Sequence, residues 1–239
     1  MHHEFSYDNF HANGERVYRL AKENTQNIYV GSGRFAVHPA PLYDVLANMS
    51  DVNDASRLGK WGNVVIESGD KTHYEDRYFA ADSGLLKMLS FEQLAGNLEE
   101  ALQRPRTAII SETTAIKLFG TTDAAGKTIK LTSFVDLGEN TVDAVFKELP
   151  TNASLQFNII LRFLDVVMTT RPGDSQSWGN SNYNYLVMLN PGADPANLEA
   201  QLNEHLHKKY AGTDDESFAK ITHYIAQPLP EVYGTHRQL

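Results

Sequence analysis

Apolar residues recur along this chain with two periods, and the switches between them mark its elements. Leu42, Val45, Leu46 and Met49 fall at i, i+3, i+4 and i+7, one face of a helix. Pro39 and Pro41 suit its first turn, where a missing N–H costs nothing. Leu198, Leu202 and Leu206 repeat at i, i+4 and i+8 behind Asp194-Pro195, an N-cap followed by a proline at the first helical position. "SETTAIKLFG" predicts a helix capped by Ser111 and stopped by Gly120. Thr213 and Glu216 have capping-box spacing. Ser6 or Asp8 suits the cap of a short helical turn that carries Phe10 and ends at Asn13-Gly14.

Period-two runs alternate with these helices. "RVYRLAKE", "TAIIS", "YNYLVML" and "KITHYIAQPL" read as strands. "KTIKL" places Ile129 and Leu131 on one face, and "NTVDAVFKEL" places Val142, Ala144 and Phe146 on one face. "LQFNIILRFLDVVM" is apolar throughout and fits either a strand or a helix. The first third thus reads strand, helix, strands. From about Lys71 to Phe146 the segments are short and β-rich, and the final third again mixes strands with helices. "LPTNAS" (Leu149–Ser154) is a plausible return linker. The simplest organisation is a split α+β domain, with the outer thirds packed together and the middle inserted. That arrangement brings the two chain ends close.

Composition narrows the function. With 239 residues, 41% hydrophobic and 21% charged, the chain is long and apolar enough for a substantial core. The formal net charge is −9 and the densest basic run is His207-Lys208-Lys209, which excludes a nucleic-acid partner. There are no cysteines, hence no disulfide, thiolate zinc site or thiol nucleophile. No apolar run is long enough to span a bilayer; the Met1-His2-His3-Glu4 start has no signal-peptide pattern, and Met1 to His3 fit a non-native addition.

Candidate chemistry is sparse. Gly126-Lys127-Thr128 imitates the tail of a phosphate-binding loop, but the first glycine such a loop needs would sit at Thr121, and Gly120 comes one residue early. The surrounding order, helix then turn then strand, is also wrong. His205 and His207 are two apart on a helix and cannot chelate one metal; His11, His38, His73, His223 and His236 are scattered. Asp214, Asp215 and Glu216, like Glu99 and Glu100, fit helix-start positions. Ser111 lacks the context of a nucleophile. The loop "SWGNSNYNY", with Trp178, Tyr183 and Tyr185, resembles a stacking surface for sugars, although a loop entering a strand is its ordinary reading. No catalytic, cofactor-binding or metal-binding residue is nominated, which favours a binding or mechanical module over an enzyme.

Several stretches, taken in order, resemble one family. "YDNFHANGERVYRL", "AIISETTAIKLFGTTDAAGKTIKL", "VDAVFKELPTNASLQFNII", "NYLVMLNPGADPANLEAQL" and "QPLPEVY" are together similar to the extracytoplasmic part of MacB-like, FtsX-like ABC transporter permeases. The chain departs from the family pattern at Asn152-Ala153-Ser154 and at Pro230 to Tyr233, both turn positions. The resemblance implies a periplasmic core domain with a porter-like α/β subdomain built from residues 1–68 and 152–239. A β-rich subdomain, 69–151, would be inserted in it. It also implies a non-catalytic, cofactor-free role in which ATP-driven motion is passed to export of a substrate or to a partner protein, through a joint expected near Glu67–Asp70 and Leu149–Ser154. The implied partners are a second permease protomer, as homodimer or heterodimer, and a cytoplasmic ABC ATPase acting through the parent's membrane part. A periplasmic adaptor or lipoprotein is a further candidate. The alternative is an extracytoplasmic glycan- or peptide-binding module.

Overall fold

A computed structural model describes residues 7–24, 33–60 and 62–232. Their elements run β1 (Val17–Asn24), β2 (Arg34–Phe35), β3 (His38–Pro39), α1 (Leu42–Ala47), β4 (Val52–Gly59), β5 (Val64–Ser68), β6 (Lys71–Glu75) and β7 (Tyr78–Ala81). They continue with α2 (Leu85–Met88), β8 (Gln93–Gly96), β9 (Thr107–Ser111), α3 (Glu112–Phe119), β10 (Thr128–Thr132), β11 (Asp136–Phe146) and β12 (Ile159–Arg162). The last are α4 (Phe163–Thr170), β13 (Ser181–Leu189), α5 (Pro195–Tyr210), α6 (Glu216–Ile221) and β14 (Thr222–Pro228). The class is α+β, as expected.

The strands form one mixed sheet ordered β14-β1-β13-β4-β7-β12-β9-β11-β10-β5-β6, with β2, β3 and β8 attached to its sides. Two of its ladders are parallel, β7 with β12 and β9 with β11. The chain returns from β9 to β11 through α3 and β10, the longer crossover a parallel pair needs. β1 and β14 pair antiparallel from Tyr18↔Pro228 to Asn24↔Thr222, so the strands nearest the two ends of the described chain lie side by side. β14 is the outer strand there. Its outward amides are taken up by α5, since Asn203 Oδ1 accepts from the Tyr224 N–H at 2.7 Å and Glu199 Oε1 from that of Ala226 at 2.7 Å. An edge that would otherwise template another strand is thereby covered.

Each face of the sheet carries its own core. One gathers Leu20, Ile66, Ile110, Leu131, Val187 and the α5 leucines Leu198, Leu202 and Leu206. The other gathers Val17, Ile109, Phe146, Phe157, Ile160 and Met188. Both cores run across chain-end strands and middle strands alike.

Local chemistry accounts for most of the elements. Ser111 Oγ accepts from the Thr114 N–H, and Gly120 closes α3 at φ 72°, a conformation that favours glycine. Asp194 Oδ1 accepts from the Ala196 N–H above Pro195 at the start of α5. The ambiguous run after Ser154 is both strand and helix, divided at Arg162. Ile159, Ile160 and Leu161 are buried on both sheet faces, and Phe163, Val166 and Val167 then bury one helical face.

Five expectations fail for identifiable reasons. Pro39 lies in β3 and Pro41 is the N-cap of α1, so neither occupies the helix's first turn. Asp8 caps no helix: its N–H donates to Asn152 O and its Oδ1 accepts from the Ser154 N–H, which pins the return segment to the start of the described chain. Thr213 does not cap α6, because its hydroxyl donates to Tyr210 O while Glu216 reaches back to the Gly212 N–H. In β11 a bulge at Asp143 sends Val142 into one core and Ala144 and Phe146 into the other. One extra residue flips every side chain beyond it. Glu67–Asp70 is no extended joint but the tight turn of the β5–β6 hairpin, closed by the Ser68↔Lys71 pair.

Candidate functional site

The phosphate-loop imitation is resolved by its amides. The Gly126 N–H donates to Val142 O, and that of Lys127 to Ala124 O. The Lys127 ammonium lies 4.8 Å from the centre of the Phe119 ring, and Thr128 enters β10. Gly126, at φ 82°, makes the turn that brings the chain from α3 into β10. No nest of free N–H groups faces outward at this turn.

The aromatic loop comes apart as a stacking surface. Tyr183 and Tyr185 are both 0% exposed. The Tyr183 hydroxyl donates to Asp174 Oδ2 at 2.8 Å, and that of Tyr185 reaches Pro39 O at 2.9 Å and Ala40 O at 2.8 Å. Asp174 also accepts from the amides of Asn180 and Asn182, at 2.7 and 2.9 Å. Burial raises its pKa, but the bonds from Tyr183, Asn182 and Asn180 more than offset that and hold it below the usual value. The polar residues of this loop fold it onto itself. Trp178 alone of the three rings is partly exposed, with the Lys209 ammonium 3.9 Å above it and the His205 ring at 5.6 Å.

The histidines go separate ways. His38 is fully buried, with Nε2 3.0 Å from Leu20 O and its ring stacked on Tyr224. Burial and the nearby Lys22 hold it neutral, well below its usual pKa. Nδ1 of His11 accepts from the Ser90 N–H. His205 and His207 face different rings, Trp178 and His223. Among the described residues, no three His, Cys, Asp or Glu side chains cluster as a metal site. Asp215 sits at the N-cap position of α6 without a side-chain capping bond, Asp214 is exposed beside it, and Glu99 and Glu100 are exposed in a turn. Ser111 is the α3 cap.

Two concavities stand out among the described residues, and no expectation from the sequence pointed to either. The first, a groove of about 990 Å³, is lined from α1, β4, α2, β8, α4 and the turns after β7 and β8 by residues including Tyr43, Arg57, Asp82, Leu86, Leu102 and Leu164. At its base Arg57 meets Asp82 in a two-pronged pair, with Nε–Oδ2 and Nη2–Oδ1 both 2.8 Å. The guanidinium lies between the rings of Tyr43 and Phe163, at 4.4 and 4.1 Å. Burial alone would lower the Arg57 pKa; the bonds and charge of Asp82 reverse this and raise it. The pair spans the narrowest ladder of the sheet's main path, β4–β7, which is only two residue pairs long. The second concavity, about 680 Å³, lies beneath α5 and α6, with Lys22 of β1 in its wall.

A family model described as the MacB-like periplasmic core domain matches residues 4–205. The chain belongs to this family. A domain of a candidate permease protein from Porphyromonas gingivalis is 26% identical, with TM-score 0.72 and 91% of each chain covered. The periplasmic region of MacB from Actinobacillus actinomycetemcomitans is 12% identical, with TM-score 0.61, over 93% of this chain and 92% of that one. The extracellular domain of the ABC-type transporter YknZ from Gram-positive bacteria is 16% identical, with TM-score 0.57, over 88% and 99%. Among curated protein sequences none matches. This MacB-like domain is therefore a periplasmic part of an ABC transporter permease, and no helix among its described residues is long and apolar enough to cross a membrane. In such a domain the groove and the lysine pocket are the features to explain. One signal for the second stood in the sequence: Lys22 shares the strand parity of Tyr18 and Leu20, an apolar face on which a lysine is out of place.

Proposed function

We propose that this domain is a non-catalytic transmission element, carrying motion generated by a cytoplasmic ABC ATPase, through the permease's membrane part, to a substrate or partner protein outside the membrane. The carrying observation is the adjacency of β1 and β14 within a sheet hydrogen-bonded without a break to β6. Displacement applied where the two ends enter passes along that sheet. A stiff sheet with one short ladder bends there first, which favours β4–β7 as the joint, with Arg57–Asp82 as its clasp.

On this reading residues 1–68 and 152–239 are the porter-like half and 69–151 the insert, the first boundary falling within the β5–β6 hairpin and β5 and β12 pairing into the insert's side of the sheet. The return segment, at Leu149–Ser154, is held by Asp8. The permease acts as a homodimer or heterodimer, and a periplasmic adaptor or lipoprotein receives the motion. A sugar-stacking module has less support, because two of its three rings are buried.

The test uses the absence of cysteine from this sequence, with any cysteine elsewhere in the permease and its ATPase replaced. In the full permease with its ATPase, reconstituted in nanodiscs, cysteines at Lys208 on α5 and Tyr74 on β6 carry spin labels. The distance distribution between them is expected to change between nucleotide-free and ATP-trapped states. An unchanged distribution in the presence of ATP turnover refutes transmission through a bending sheet.

A further inference from the structure

A lysine side chain inside a protein is ordinarily paired with a carboxylate. Lys22 is not. It is 5% exposed, and among the described residues its Nζ meets Ser181 Oγ at 3.4 Å and the face of Phe35 at 4.8 Å. Ser181 and Phe35 both line the 680 Å³ cavity, as Lys22 itself does, so the ammonium stands in the cavity wall. The remaining wall is mostly apolar, with Pro39, Trp178, Leu206, Phe218 and Tyr224 prominent. Its acidic residues, Asp214 and Asp215, are exposed at the rim, where solvent screens them. The second cation in the wall, Lys209, is half-buried and lies on the Trp178 ring, whereas Lys22 is desolvated. A largely apolar concavity of this size with one desolvated cation is the usual form of a small-ligand site. His38, neutral and buried behind Lys22, offers no counter-charge.

We propose that this cavity binds an amphipathic monocarboxylate, its carboxylate on the Lys22 ammonium and the Ser181 hydroxyl, its apolar body against Trp178, Phe218 and Leu206. The site is independent of the transmission role and stands or falls separately. A carboxylate satisfies the ammonium that the fold leaves without a counter-ion. A neutral ligand leaves it unpaired, and a cation is repelled.

Calorimetric titration of this chain with dodecanoate and with dodecanol tests the idea, alongside the apolar tripeptide acetyl-Leu-Leu-Phe as free acid and as amide. Dodecanoate, the free-acid peptide or both should bind about ten- to a hundred-fold more tightly than the matching neutral compound. Which acid binds identifies the source as a fatty acyl chain or a peptide terminus. Lys22→Met should abolish that preference while leaving dodecanol affinity in place. Equal affinity of acid and neutral forms for the wild-type chain, or no binding of any of the four, overturns the proposal, and this comparison holds whether or not the variant folds. An undiminished acid preference in Lys22→Met also overturns it.

Discussion

Replacing Lys22 by methionine should stabilise the domain near neutral pH, and the gain should fade as pH rises. Burial lowers the Lys22 pKa from 10.5 to about 8. At 1.36 kcal/mol per unit, holding the ammonium inside the folded chain at pH 7 costs about 3 kcal/mol. The sign follows from proton counting. Between about pH 8 and 10.5 the unfolded chain keeps a proton that the folded chain has released, so stability rises with pH across that window. The stabilising contribution is complete above 10.5 and lost as pH falls through about 8. Methionine has similar length, no charge, and a sulfur that still packs on Phe35. Urea unfolding of both proteins at pH 7, 8, 9 and 10 should show the variant more stable by about 2–3 kcal/mol at pH 7, with the difference shrinking steadily above pH 8. The comparison must be a difference, because buried tyrosines such as Tyr78, pushed up to about 12, titrate in the unfolded chain first and weaken both proteins above pH 10. A less stable variant at pH 7, or a difference flat with pH, would refute the claim that Lys22 is buried as an unpaired cation.

Four other outcomes follow from particular contacts. Gly96→Ala should cost more than about 3 kcal/mol in urea unfolding, since a Cβ there would stand 2.0 Å from Asp143 O on a backbone at φ +76°. Ser111→Ala should cost about 1–2 kcal/mol by the same measurement, leaving the buried Thr114 N–H without its cap. Asp174→Asn should weaken the fold at pH 7 by about 1–3 kcal/mol. Because the folded Asp174 pKa lies below 3.8, its contribution is present above that value and disappears as pH falls through the folded value, so the variant's deficit should close in acid, followed by tryptophan fluorescence. Arg57→Met, which strands the partly buried Asp82 carboxylate, should cost about 2–4 kcal/mol, whereas Arg57→Met with Asp82→Leu should recover much of it; failure of the double variant to recover would mean the pair does more than neutralise itself.

The sequence disclosed what local chemistry decides and concealed what distance decides. The helices of Ser111 and Asp194 were legible because a cap, a period and a stop lie within one short stretch. The Asp143 bulge was hidden because alternation on one strand carries no record of the partner's register, and one unpaired residue moves Ala144 and Phe146 to the opposite core. The aromatic loop misled for a related reason: polar residues beside tyrosines look like a wet surface until Asp174, nine residues before Tyr183, is seen to collect their hydrogen bonds. The two concavities were harder still to read, since Arg57 on β4 meets Asp82 just past β7 and Lys22 meets Ser181 across 159 positions. These two cations are opposite solutions to one problem. Arg57 is enclosed with a carboxylate and two aromatic faces, so its charge is met within the fold and clasps the shortest ladder. Lys22 is enclosed with a hydroxyl and one ring, so its charge is left unmet at a standing cost in stability. A fold that needed only stiffness could carry methionine at position 22, and the cost of keeping lysine there is the physical reason to look for a ligand that bears a carboxylate.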